Sequence, residues 1–158
     1  MPDPNLVNLA RKTAADHQLF EETVCAIVEQ ESSWLTWLNR YEPEFEANPS
    51  YLPKLVQDDL NFIKTLHYTM TAATEMKNRA TSWGLMQVMG QSARELGYRE
   101  FIPELCDPAS GLYWGCKIFT RKLECTGGDY QKALQLWNGG GNPNYAAEVM
   151  ARAPKYKT

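Results

Sequence analysis

Apolar positions return every three or four residues along most of the chain, the spacing of one face of an α-helix. Asp3 as an N-cap and Pro4 in the first turn open the pattern, and Leu6, Leu9, Ala10 and Thr13 carry it to about Ala15. Glu21 and Glu22 then load acid into the first turn of a second helix, where it complements the macrodipole. The stripe Val24, Ile27, Val28, Leu35 and Leu38 predicts that this helix runs to about Asn39. From Arg40 to Pro53 three prolines interrupt any period, so the segment reads as an irregular lobe over the core, with its glutamates on no regular helix face. Leu55, Val56, Leu60, Ile63 and Leu66 restore the period between Lys54 and Tyr68, and a shorter helix follows over Ala72 to Lys77.

Ser82 to Gly90 is bracketed by glycines and reads as a strand or an extended turn. Ser92 to Leu96 makes a helical turn or two stopped at Gly97. The best-defined helix opens at Asp107-Pro108, places Leu112, Cys116, Phe119 and Leu123 on one face and stops before Gly127-Gly128. Asp129 caps another through Ala133, Leu134 and Trp137, and beyond the glycine run Asn144 caps a last one with Tyr145, Val149 and Met150. No internal repeat is visible. The sum is a mostly α domain of seven or so helices with little or no β structure, spanning 1–158 as one unit with an insertion lobe over 40–81.

One position breaks the pattern. The stripe of the second helix passes through position 31, which is Glu. Burying an unpaired carboxylate costs several kcal/mol or more, and proteins escape that cost by raising its pKa so that it stays protonated. A protonated, partly buried Glu is a general acid of the kind that protonates a glycosidic oxygen. Trp34, one turn on, would supply an apolar wall. The plainer alternative is that Glu31 leans out at the edge of the stripe or pairs with Arg40 and only stabilises structure.

Composition narrows the classes. With 158 residues, 44% hydrophobic and 22% charged, the chain is an ordinary single-domain globular protein. Its net charge of -3 supplies no field to hold nucleic acid by phosphate neutralisation. No apolar run is long enough to span a bilayer, and Asp3 stands where an export signal would be basic, so synthesis in the cytoplasm is expected. Cys25, Cys106, Cys116 and Cys125 form no CxxC pair, and His17 and His67 stand in no ligand spacing, so no metal and no cofactor are expected. Reduced thiols are expected, with Cys25 and Cys116 as packing residues. The glycine run 139–141 lacks the following Lys of a phosphate loop and reads as a tight turn.

Four ordered segments sharpen the reading: Glu31-Ser32-Ser33-Trp34, Gly84-Leu85-Met86-Gln87-Val88, Trp137-Asn138-Gly139-Gly140, and downstream Tyr145. In that order they resemble the lytic transglycosylases with a goose-lysozyme-like, soluble-type fold. RYEP, TSWGLMQVMG and LCDPASGLYWGC are most similar to small phage-type and prophage-type members. The resemblance covers about positions 6 to 153 and implies two helical lobes with a substrate groove between them. It implies Glu31 as the single catalytic acid/base, Ser32 positioning it or the substrate's acetamido group, Met86 and Gln87 lining the groove, Asn138 reaching a sugar, and Tyr145 orienting Glu31. The implied reaction cleaves the bond between N-acetylmuramic acid and N-acetylglucosamine and closes a 1,6-anhydro ring without consuming water. The implied partner is the peptidoglycan glycan strand. A monomer is expected, and the absence of an export signal in these residues fits a phage-like product that is released through a membrane pore or carried in a virion, or a domain cut from a longer chain.

Three departures from the family pattern stand out. Trp137 replaces the usual Tyr before Asn138, so a phenol hydroxyl is absent and the wall is larger. Gly111 sits where members commonly have Asn, and the piece between Arg40 and Thr81 is long. Trp83 and Trp137 are candidates for sugar platforms, while Trp34, Trp37 and Trp114 are expected in packing. A hydrolase on the same fold, a muramidase or chitin-type enzyme, would need a second acid about 6.5 to 9.5 Å from the first if inverting. Glu42, Glu44, Glu46, Asp58 and Asp59 are the candidates. A silent murein-binding virion domain is the rival of another class.

Overall fold

The computed structural model describes residues 2–47, 51–66 and 70–157. Among them ten α-helices surround one three-stranded antiparallel sheet, so the mostly α expectation holds with more and shorter helices than the periodicity suggested. Helix α1, Pro4–Asp16, starts as expected, with the Asp3 carboxylate accepting from the Asn5 amide. Helix α2, Glu21–Ser32, is the central element: Val24, Cys25, Ala26, Ile27 and Val28 are all fully buried, so it is sheathed on nearly every side. Helix α1, helix α10 (Tyr145–Arg152) and a C-terminal 3-10 turn, Ala153–Tyr156, pack around it. Helix α8, Pro108–Cys125, capped by Asp107, packs on α1 and on α9, Tyr130–Trp137. Asn144, expected to cap α10, makes no side-chain cap; its own amide donates to the Asn142 side chain at 2.9 Å.

Helix α2 ends seven residues short of the expected Asn39. Ser33 and Trp34 adopt φ of 50° and 68°, two consecutive left-handed residues that turn the chain out of the helix. The turn drives the Trp34 ring into the core, where its indole N–H donates to the Tyr156 hydroxyl at 3.0 Å. Leu35 and Trp37 are left exposed rather than on a core stripe, which corrects the packing expected of Trp37.

The chain then supplies β1 (Asn39–Tyr41) and α3 (Pro43–Ala47), so the supposedly irregular lobe carries regular structure, with Glu44 and Glu46 on its helix. The single helix expected over 54–68 is two, α4 (Leu52–Asp58) and α5 (Leu60–Thr65); His67 and Tyr68 lie outside the described residues. Helix α6, Ala72–Arg79, leads into β2 (Thr81–Trp83) and β3 (Val88–Met89), and β2 pairs with β1 on its other side through Arg40 opposite Ser82. Helix α7 spans Gly90–Glu95, and a 3-10 turn, Ile102–Cys106, joins it to α8. Gly84 is forced at the hairpin turn: its φ is +69°, and a Cβ there would lie 2.3 Å from the Leu105 carbonyl. A Cβ at Gly111 would meet the same carbonyl at 2.4 Å, so the family's Asn does not fit this close approach.

Two apolar clusters result. The larger gathers around α2 and α8; the smaller, Leu52, Val56, Ile63 and Ala80, forms the core of α3–α6. A buried ion network fastens the smaller lobe. The Glu75 carboxylate, fully buried, accepts from Arg79 Nε at 2.6 Å and Arg94 Nε at 2.8 Å, while Arg79 Nη1 reaches Asp59 at 2.7 Å. Burial pushes the Glu75 carboxyl up, but the two guanidinium groups outweigh it and hold it below the ordinary carboxylate value.

Removing one partner of such a network strands the others without solvent. Glu75→Gln is expected to destabilise the fold by about 3–5 kcal/mol in urea denaturation. Because the folded carboxyl titrates below its unfolded value, the contribution of Glu75 is intact above the unfolded value and is lost as pH falls through the folded one. A variant whose stability matches the parent at neutral pH contradicts this account.

Candidate active site

A groove of about 750 Å³ runs between the lobes, within the size range of ligand sites. Glu31, from the last turn of α2, lines it together with Trp137 and Asn138 at the end of α9. The opposite wall comes from β1, α3 and the hairpin: Arg40, Glu42, Glu44, Ser82 and Gln87.

Two donors converge on one oxygen of Glu31. The Tyr145 hydroxyl, at the start of α10, donates to Oε1 at 2.5 Å, and the Trp137 indole N–H donates to the same atom at 3.0 Å. Among the described residues nothing donates to Oε2. Burial raises the Glu31 carboxyl above its ordinary value, with Tyr145, Trp137 and the Arg40 charge pulling back less strongly. Tyr145, buried beside that carboxylate, is itself pushed far up and stays a hydroxyl donor. Arg40 does not pair with Glu31. Its Nε bonds Glu42 at 2.6 Å, so the plain structural reading of Glu31 as an ion-pair partner of Arg40 does not hold.

Trp137 therefore does more than form a wall. The phenol that the Tyr-to-Trp exchange removes is replaced by an indole N–H aimed at the carboxylate, with the ring braced edge-on against Phe119 at 6.0 Å. Asn138 holds the following loop, its Nδ2 donating to the Asn142 carbonyl at 3.2 Å. Asn142, which the sequence reading passed over, organises that loop: its carbonyl also accepts from Gln135, and its side chain donates to Glu148 at 3.1 Å. Glu148 in turn accepts from Gln30 of α2, tying the loop to the helix that carries Glu31.

Gln87 reaches the groove in a left-handed conformation, φ 47°. Its Nε2 donates to the Leu38 and Gly84 carbonyls, both at 3.0 Å, which fixes the hairpin turn and leaves the amide oxygen without a protein donor among the described residues. Ser32 and Met86 are not brought to the groove. Ser32 is buried and its hydroxyl donates back to the Val28 carbonyl at 3.0 Å; it follows Glu31 directly, so on a helix it points about 100° away. Met86 is fully buried against α8, where a Cβ on Gly115 would lie 2.4 Å from its sulfur. Trp83 also misses the groove lining, its indole donating to the Asn78 carbonyl at 3.0 Å. Trp34 lies against Tyr156 rather than Glu31.

Among the five candidate second acids, the groove takes Glu42 and Glu44. Glu46 is bonded to Tyr41 and to Lys77, and Asp59 belongs to the buried network. Glu44 has no cation or donor among the described residues.

The family profile described as Transglycosylase SLT domain matches residues 70–157, more than half of the chain. The chain belongs to that family. Its members are lytic transglycosylases that act on peptidoglycan, and this protein shares that general activity. No solved structure matches the chain significantly. The matched stretch contains Gln87, Trp137, Asn138 and Tyr145 but stops short of Glu31, so the link between Glu31 and the rest rests on the hydrogen bonds that Trp137 and Tyr145 make to it. Among the described residues no helix is long and apolar enough to cross a membrane.

The indole donor is separable from the indole ring. Trp137→Phe keeps an aromatic wall and deletes the N–H, removing a bond that favours the charged carboxylate. The Glu31 carboxyl is expected to titrate higher in that variant, read by carbon-13 NMR of the carboxyl. An unmoved titration would mean that the bond carries no weight.

Proposed function

We propose that Glu31 is the single general acid and base of a peptidoglycan lytic transglycosylase that forms 1,6-anhydro-N-acetylmuramic acid. What carries the reading is the convergence of Tyr145 and Trp137 on Oε1, because an oxygen that accepts two donors is a poor place for a proton. The proton then resides on Oε2, and burial keeps it there at a pH where an ordinary carboxyl is ionised.

The reaction follows. Glu31 gives the Oε2 proton to the oxygen between N-acetylmuramic acid and N-acetylglucosamine as the bond to the anomeric carbon breaks. The muramic acid acetamide stabilises the cation, an assistance that removes the need for a second carboxylate. Glu31, now anionic and held by Tyr145 and Trp137, takes the proton of the C6 hydroxyl as that oxygen closes on the anomeric carbon. The acid is regenerated and no water enters. The amide oxygens of Gln87 and Asn138 supply acceptors for sugar hydroxyl and amide groups. Glu44, on the facing wall and without a partner among the described residues, is the group that a hydrolytic variant of the reaction would use as base.

Glu31→Gln is expected to lower cleavage of purified peptidoglycan by about 10²–10⁴-fold, the usual worth of a positioned acid–base group, while leaving the melting temperature at or above that of the parent. Muropeptides released by the parent should weigh one water less than hydrolysis products by mass spectrometry. Reducing-end products that vanish in Glu44→Gln would establish hydrolysis instead. In the parent, activity should fall as pH rises through the elevated Glu31 value, since only the protonated form is competent. A rate that falls only on acidification would overturn the assignment of Glu31 as the acid.

A further inference from the structure

The groove has a side branch. A second depression, of about 380 Å³, opens beside it and shares Ser92, Ile118 and Lys122 with the groove lining. Its lining combines charge with an apolar floor. Arg121 and Lys122 of α8 bring two cations, Glu95 of α7 one carboxylate, and Leu96, Ile118 and Leu136 an apolar floor.

The charges are unequally engaged. Glu95 Oε1 already accepts from the Tyr51 hydroxyl at 2.9 Å and from Gln91 Nε2 at 3.1 Å. Lys122 Nζ donates to the Leu136 carbonyl at 3.1 Å, and among the described residues it has no bonded anion and Arg121 has no protein acceptor. Lys122 is half-buried, and that loss of solvent lowers its pKa despite the charge of Glu95 nearby. A partly dehydrated ammonium beside an unengaged guanidinium gains from a carboxylate brought by a ligand.

Where a stem is attached, the glycan itself supplies none, because N-acetylglucosamine is neutral and the lactyl carboxyl of N-acetylmuramic acid is tied up as the amide to the stem; the free carboxylates then sit on the peptide stems that leave the strand sideways at each lactyl group. The stem also carries an amine on its diamino acid and methyl groups on its alanines, so it matches in kind a depression lined by two cations, one carboxylate and three aliphatic side chains.

We infer that the depression lined by Arg121, Lys122 and Glu95 binds the acidic peptide stem of a strand lying in the groove, and so sets a preference for stems with free carboxylates over amidated ones. This rests on peptidoglycan as the substrate, and the test separates the two. The free tripeptide L-Ala-γ-D-Glu-L-Lys and its fully amidated form are titrated calorimetrically into the parent and into Arg121→Gln, an exposed substitution that leaves the core untouched. The acid form should bind the parent about tenfold more tightly than the amide, and Arg121→Gln should erase that difference, the loss expected for one charge-assisted hydrogen bond. Arg121→Lys should restore part of it.

In cleavage assays the ratio of kcat/KM on strands with free stem carboxylates to that on strands whose stem carboxylates are amidated should fall about tenfold in Arg121→Gln, through KM. Equal binding of acid and amide by the parent, or an acid preference untouched in Arg121→Gln, overturns the inference. If neither kind of strand is cleaved, the transglycosylase reading fails, and the peptide titration still decides the role of the depression.

Discussion

Tyr145 and Trp137 donating to one oxygen of Glu31 is the contact on which the site depends. Glu31 sits in the last turn of α2, where burial and the negative end of the helix dipole both disfavour an anion. Without donors the side chain would swing outward to water or titrate without a fixed orientation. The two donors prevent both outcomes and come from elements more than a hundred residues downstream. That separation explains the packing order: α9 and α10 must lie against each other, and α10 against α2, before the indole and the phenol reach the same atom. The loop between them is stitched by Asn142 and Glu148 to α2 itself, so the donors and the acid are held by one hydrogen-bonded frame.

The second constraint is where α2 stops. Had the helix continued to Asn39, the chain could not have turned at Ser33 and Trp34 to bring β1 alongside β2. The strained pair is stabilised by what it packs: the Trp34 ring between core and Tyr156, whose hydroxyl in turn donates to Glu29 at 2.7 Å. The turn delivers the Leu38 carbonyl to the Gly84 amide at 2.8 Å and to Gln87, and the hairpin then forms the opposite wall. The break in the helix and the existence of the groove are one structural event.

Much of this was legible in the sequence, and what was not has identifiable causes. Periodicity located α1, α6, α8 and α9 because those helices bury one face and obey 3.6-residue spacing. It overran α2 because Leu35 and Leu38 continue the stripe in register although the backbone has left the helix; two non-glycine residues in left-handed geometry give no compositional signal. At 40–53 the reverse holds: the prolines interrupt the apolar period, yet Pro43 and Pro53 stand in the first turns of short helices. Glu31 was found because a carboxylate on a core stripe contradicts its surroundings. Ser32 and Met86 were carried by motif position alone, and neither has a route to the groove. Lys122 was hidden as one more cation on an amphipathic helix, and only the packing of α7 beside α8 shows that it borders the site.

The distribution of carboxylates bears on whether one acid suffices. Glu42 is neutralised by Arg40, Glu46 by Lys77, and Asp59 by the buried Arg79, so acid after acid in the smaller lobe is committed to structure. Among the described residues Glu44 has no partner in the groove, but a base that activates water must be oriented, and no donor or cation among them orients it. Glu31 is held by two. An active site spends its fixed dipoles where the transition state needs them, and here they are directed at a single carboxyl group. A groove organised in that way suits the proposed reaction, in which the substrate supplies its own nucleophile, the C6 hydroxyl, better than one that must position and deprotonate a water molecule.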